Sequence, residues 1–256
     1  MDYQDYLKEE HDYHARFARY NRRKLGFFKR YFRLYHRLKV KGLENIPEGP
    51  AIIAPNHSGG YDLDIMSLMY FAHPAREIPV LIAYEWHFIS SAWGRYYVGG
   101  GIPLWLRGGI RHEYIDPYLL EGGSRYPGLV CIFPEGNSSS IWKRKEIGPF
   151  YPGVVRLAIR YRVPIVPVAM IGFDTASPIF KEIMRDHRTP DVVMLPFTLP
   201  VSLTIDFGKP FELSELYAVK IGREEEFTIA NEIVRPRVAD VIRRHRPVSL
   251  PPWKKP

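Results

Sequence analysis

The chain has 256 residues, a formal net charge of +8 and 46% hydrophobic residues, enough for one large domain or two small ones with a sizeable core. Its one cysteine, Cys131, excludes an intrachain disulfide, which fits a reducing compartment. No apolar run reaches the roughly 18 residues of a spanning helix, and the charged opening "MDYQDYLKEEHDYHARF" lacks the apolar core of a secretory signal.

The basic charge is concentrated at the two ends. Ala15 to Lys41 holds eleven Lys and Arg with no Asp or Glu, and Arg235, Arg237, Arg243, Arg244, Arg246, Lys254 and Lys255 repeat the bias. Such clusters suit nucleic acid, anionic lipid or a phosphorylated substrate. No nucleic-acid-binding motif accompanies them, so nucleic acid is not the expected partner. Read as a helix at about 100° per residue, "FFKRYFRLYHRL" gathers Phe27, Phe28, Tyr31, Phe32, Leu34, Tyr35 and Leu38 in one arc, with Lys29, Arg30, Arg33 and Arg37 opposite. An aromatic face backed by a purely basic one describes an amphipathic helix lying on an anionic membrane. A core-facing helix with a solvated basic back would look the same.

A short strand is expected at Val40 to Leu43, a Pro/Gly-rich turn at Asn45 to Pro50, and an apolar strand at Ala51 to Ala54. Leu63 to Ala72 reads as a helix. "IPVLIAY", a segment near Ile102, and "GLVCIFPEG" read as further strands; within the last, Cys131 reads as a small buried hydrophobe. "PGVVRLAIRYR" is expected to be a helix, "VPIVPVAMIGF" and "VSLTIDFGKPF" strands, and "REEEFTIANEIVRPRVADVIRRHR" a closing helix interrupted at Pro236. Strands alternating with helices predict a single α/β domain, a mixed and mostly parallel sheet flanked by helices. The expected division is a membrane-interacting helical segment at residues 1–39, the main domain at 40–246, and a basic tail at 247–256.

"NHSGGYD" places His57 and Asp62 at a strand-to-helix junction. Histidine is the natural general base near neutral pH, and a carboxylate on its second nitrogen fixes the tautomer. Gly59 and Gly60 permit a tight turn. On spacing alone a simple capping turn competes with this reading. His57, Asp62 and Asp64 could also supply three metal ligands, but no His-Glu-x-x-His motif, cysteine pair or nearby second histidine supports a metal. There is no Gly-x-Ser-x-Gly nucleophile elbow and no Gly-x4-Gly-Lys-Ser/Thr phosphate loop.

The order "NHSGGYD", "GGIPLWLR", "FPEG", "VPIVPV", followed by "FGKPFEL", resembles the glycerolipid acyltransferase family over roughly residues 40 to 210. The resemblance implies acyl transfer from a thioester, carried by coenzyme A or acyl carrier protein, to a hydroxyl of a glycerolipid such as lysophosphatidic acid. His57 would be the base and Asp62 its orienting partner, with direct attack and no acyl-enzyme. Arg107 would bind an acceptor phosphate or the donor's pantetheine side, and Glu135 and Gly136 would shape the acceptor site. No cofactor beyond the acyl donor is implied.

One departure stands out. The family continues Phe-Pro-Glu-Gly with Thr-Arg-Ser, whereas this chain has Asn137, Ser138 and Ser139, and serine cannot replace the arginine's paired, charged hydrogen bonds to phosphate. Lys143, Arg144 and Lys145 could compensate. Alternatively, the acceptor is a neutral lipid alcohol such as diacylglycerol, or the chain is a non-catalytic membrane-binding module. The basic helix implies peripheral attachment to the cytoplasmic membrane face. The sequence assigns no oligomeric state.

Overall fold

A computed structural model describes residues 26–60, 63–71, 81–85, 102–105, 109–110, 115–119, 128–183 and 191–253. Residues 1–25 of the expected membrane-interacting segment, together with Asp62, Arg107, Lys254 and Lys255, lie outside the described residues.

Continuous apolar runs form the centre. Strands β1 (Lys39–Lys41), β2 (Ala51–Pro55), β3 (Leu81–Glu85), β4 (Ile102–Trp105), β5 (Gly109–Ile110), β6 (Leu129–Cys131) and β7 (Ile165–Ile171) are followed by β8 (Ile179–Ile183), β9 (Asp191–Met194) and β10 (Thr204–Phe207). Eight of them make one sheet in the order β1-β10-β7-β2-β6-β3-β4-β5, and β8 and β9 form a separate antiparallel hairpin. β7, β2, β6, β3 and β4 run parallel; β10 runs antiparallel to β7, and β5 to β4. The mixed, mostly parallel sheet expected from the sequence is therefore present. β1 pairs parallel with β10, Lys39 facing Thr204, which in turn faces Ile171.

A strand covered on both faces has no polar side to present, which is why "AIIA", "LVC" and "IVPVAMI" show no alternation. Successive residues enter opposite layers. Ile52, Ala54, Val130, Ile165 and Ala169 join one core, while Ala51, Ile53, Leu129, Cys131, Val166, Val168 and Met170 join the other. The first layer is closed by α4 (Gly153–Tyr161) and α7 (Arg235–Arg243); α2 (Leu63–Phe71) and α3 (Asp116–Leu119) precede α4 in the chain, and α5 (Phe173–Ala176) and α6 (Arg223–Ile229) lie between α4 and α7. α4 buries Val154, Val155, Leu157, Ala158 and Tyr161, the stripe its helical period predicts. The second layer is closed by α2 and by the N-terminal helix through Phe32.

That helix, α1, covers residues 26–30 and continues as a π-helical turn, Tyr31–Tyr35. The wider winding divides the arc expected at 100° per residue. Phe32 and His36 are fully buried, whereas Phe27 and Leu34 are 67% and 73% exposed. The helix is thus half core element and half surface. His36 and Tyr31 bond to Val201 and Thr198, tying the helix to the segment before β10.

The interruption expected at Pro236 takes the form of a second π turn, Ala230–Val234, between α6 (Arg223–Ile229) and α7. Proline offers no N–H to the preceding turn and crowds its carbonyl, so the ladder widens there. Residues beyond 246 fold back on the domain: Ser249 bridges to Glu146, the Pro251 carbonyl accepts from Arg235, and Trp253 packs on Phe227. Among the described residues, no helix is long and apolar enough to cross a membrane.

Candidate active site

Ligands of open parallel sheets bind at the carboxyl ends of the strands, and the chain's chemistry-bearing segments converge there. Pro55 ends β2, and the next residue, Asn56, extends the sheet with its side chain. The Asn56 amide donates to the Met170 carbonyl at 3.2 Å and accepts from the Met170 N–H at 2.7 Å, imitating a strand residue. The following residue, His57, is held by its backbone from the loop after β6. Its N–H donates to Glu135 Oε1 at 2.9 Å, and its carbonyl accepts from Ser139 N–H at 3.4 Å. Gly59 then turns with φ +86°, where a Cβ would lie 2.4 Å from the Phe173 carbonyl oxygen, so no larger residue fits.

The His57 imidazole lies against the Phe133 ring, with centroids 4.4 Å apart. Its Nδ1 is 2.7 Å from Oδ2 of Asp64, a fully buried carboxylate in the first turn of α2. Asp64 also accepts the Ser58 N–H at 3.0 Å and the Ile65 N–H at 2.9 Å. A carboxylate accepting from Nδ1–H fixes the tautomer that carries its lone pair on Nε2, the arrangement a general base needs.

Glu135 is a clamp. While Oε1 takes the His57 N–H, Oε2 takes the Gly148 N–H at 2.8 Å. Burial pushes its carboxyl up to about 7, against the lowering effect of the two N–H donors, His57 and the buried Arg235. Arg235 spends its guanidinium on the Ile147 and Pro251 carbonyls, and burial lowers its own pKa. Gly136, at φ +76°, turns the chain beneath the Tyr151 ring.

Ser138 Oγ lies 3.0 Å from His57 Nδ1 and 3.3 Å from Nε2. Near-equal distances place the hydroxyl against the ring between the two nitrogens, off the in-plane axis of either. A narrow polar cleft opens beside His57, bounded by Glu135, Ser139, Arg144, Asp174 and Arg246 among others. Arg246 pairs with Asp174, while its buried Nε has no hydrogen-bond partner among the described residues. Among those residues, no three His, Cys, Asp or Glu side chains come together as metal ligands.

A family model described as Acyltransferase matches residues 37–171, just over half the chain. The chain belongs to the acyltransferase family. An uncharacterized protein of Mycobacterium tuberculosis is 28% identical over 202 residues, 70% of this chain and 53% of its own length. The chloroplastic 1-acyl-sn-glycerol-3-phosphate acyltransferase BAT2 of Brassica napus is 25% identical over 174 residues, 62% of this chain and 44% of its own length. The chain spans about half the length of the curated relatives it matches. Its fold is that of the crystal structure of PlsC, the 1-acyl-sn-glycerophosphate (LPA) acyltransferase of Thermotoga maritima. That likeness has a TM-score of 0.56 at 18% identity, covering 94% of this chain and 81% of the other.

In this acyltransferase-family chain, the sequence motifs converge only in part. His57, Glu135, Gly136 and Ser138 come together; Asp62 and Arg107 lie outside the described residues. The described carboxylate on His57 is Asp64, which the sequence offered only as a metal ligand. An acid between the buried Leu63 and Ile65 at a helix start was its one signal. Lys143 is solvent-exposed beside Arg144, the residue of that basic run that lines the cleft. The C-terminal arginines are largely committed to the fold: Arg235 to carbonyls, Arg243 to Asp240, Arg244 to Asp206 and Arg246 to Asp174.

Proposed function

We propose that the protein transfers a fatty acyl group from an acyl thioester, on coenzyme A or acyl carrier protein, to a hydroxyl of a glycerolipid such as a lysophosphatidic acid. The observation that carries the proposal is the His57–Asp64 hydrogen bond at the carboxyl ends of the parallel strands. His57 Nε2 accepts the acceptor's hydroxyl proton as the oxygen attacks the thioester carbonyl. The carbon–sulfur bond breaks and His57 returns the proton to the departing thiolate, so no acyl-enzyme forms. The acceptor hydroxyl takes the place beside Nε2 that Ser138 Oγ approaches. Asp64 holds the ring, and whether Asp62 shares this task is separated by Asp62→Asn and Asp64→Asn variants. Glu135 and Gly136 set the loop, while Lys143, Arg144 and Arg107 supply positive charge for a head group or donor phosphate. The names of BAT2 and PlsC support a glycerol-phosphate acceptor.

The uncharged Ser138 at His57, where the family would place an arginine, favours a second acceptor class, a neutral lipid alcohol such as diacylglycerol. Thiol release from acyl-CoA and acyl carrier protein, measured against lysophosphatidic acid, lysophosphatidylcholine and diacylglycerol, decides between them. Release that depends on one acceptor and vanishes in His57→Ala supports the reading. Full activity in His57→Ala refutes it. Peripheral attachment to the cytoplasmic membrane face completes the proposal. Unchanged vesicle binding after deletion of residues 1–38 refutes the helix's part in it.

A further inference from the structure

The loop after Phe-Pro-Glu-Gly leads into a short 3-10 turn, Ile141–Lys143, that presents Trp142 to solvent at 76% exposure. A tryptophan so exposed loses the benefit of burying its ring. The side chain is nonetheless fixed, because its Nε1–H donates to the Phe180 carbonyl at 3.0 Å. Phe180 sits at the bulge of β8 and is itself 39% exposed, and Val193 on the paired strand is 46% exposed. Lys143 and Lys145 follow the tryptophan in the chain, and Lys181 stands opposite Val193 in the hairpin register; all three are exposed.

The patch is tied to the catalytic loop. On the hairpin's inner side, Met194 and Ile179 lie so close over Gly60 that a Cβ there would come within 2.3 Å of the Met194 sulfur. The Gly60 N–H donates to the Ser177 carbonyl just ahead of β8 at 2.8 Å. On the other flank, Ser138, which touches His57, is four residues before Trp142.

We propose that the rim formed by Trp142, Phe180 and Val193, set among Lys143, Lys145 and Lys181, docks on an anionic lipid bilayer and brings the catalytic loop to its surface. An exposed apolar cluster marks an interaction site. Tryptophan beside lysines matches the interfacial zone of a bilayer, where an amphipathic ring and a cation are both accommodated. Three cations against the neighbouring Glu146 and Glu182 give a net attraction to negative lipid, whereas a protein partner's apolar pocket would not call for it. The surface is separate from the N-terminal helix. Its readout is binding, so it fails or stands independently of the acyl-transfer assay.

The test uses the full chain with vesicles of phosphatidylcholine, alone or mixed with phosphatidylglycerol. Trp142 emission is isolated by subtracting the Trp142→Phe spectrum. On anionic vesicles it should move to shorter wavelength and be quenched by brominated lipid. Trp142→Ala/Phe180→Ala and Lys181→Glu, each checked for unaltered thermal unfolding, should weaken sedimentation with anionic vesicles by about tenfold. Trp142 emission unchanged while the protein is vesicle-bound would overturn the proposal. So would a concentration-dependent dimer, seen by light scattering without lipid, that the double variant abolishes.

Discussion

Glu135→Gln separates the stability of the fold from the placement of His57. The Glu135 carboxyl titrates near 7 rather than 4.5, with burial as the largest cause. A carboxyl with a raised folded-state pKa holds its proton longer in the folded protein than in the unfolded chain. Stability therefore falls as pH rises from about 4.5 to about 7, and the full penalty is present above that window. The shift corresponds to about 3 kcal/mol, and the partial solvent exposure of the residue lowers the realised cost to about 2 kcal/mol. Glutamine carries no charge and resembles the protonated acid. Between pH 5 and pH 8 the stability of the variant relative to the wild type should rise by about 2 kcal/mol, a change in the melting-temperature difference of roughly 4–8 °C for a chain this size. Activity at pH 8 should move the other way. Only the ionised carboxylate accepts from both the His57 and Gly148 N–H groups, whereas glutamine has one acceptor oxygen for the pair. Thermal unfolding at both pH values, alongside thiol-release kinetics at pH 8, measures both effects. A stability difference that does not change between the two pH values refutes the argument.

Asp64→Asn should lower kcat by about 10²–10⁴ with little change in KM, because an amide can donate to Nδ1 and favour the wrong tautomer; steady-state kinetics beside Asp62→Asn show which acid carries the effect. Ser138→Ala should retain kcat within about tenfold, and intact-mass spectrometry of wild type incubated with acyl-CoA should show no added acyl group; an adduct absent from Ser138→Ala would make Ser138 a nucleophile. Phe32→Ala should cost about 3–5 kcal/mol in denaturant unfolding, since the ring is fully buried between α1 and the sheet; a cost below about 1 kcal/mol would mean that the helix contributes little to the core.

Residues whose environment is set by their own segment were legible in the sequence. "AIIAP" and "VPIVPVAMIGF" could only be strands covered on both faces, and "PGVVRLAIRYR" carried its buried stripe in its spacing. The hairpin of β8 and β9 was not legible, because its burial follows no alternation and its inner face is defined by Gly60, far away in sequence. Side-chain destinations across long separations were hidden for the same reason. Asn56 meets Met170, Glu135 meets the His57 backbone, and Arg246 meets Asp174 only once the sheet has formed. The C-terminal arginines looked like a free basic patch because composition counts charges but does not show which are already neutralised by a partner.

The reversal of a single strand has a directional consequence for the whole fold. β10 runs against β7, and β1 follows β10, so β1 begins level with the place where β7 ends, Lys39 beside Thr204 and Thr204 beside Ile171. The helix that leads into β1 therefore emerges at the same pole of the sheet as the loops bearing His57 and Ser138. Had β10 been parallel like its neighbours, that helix would have emerged at the opposite pole, a full strand length from the histidine. The polarity of one short strand thus decides that the N-terminal helix and the His57 loop share a pole, the geometry the proposed attachment of the helix to a membrane requires.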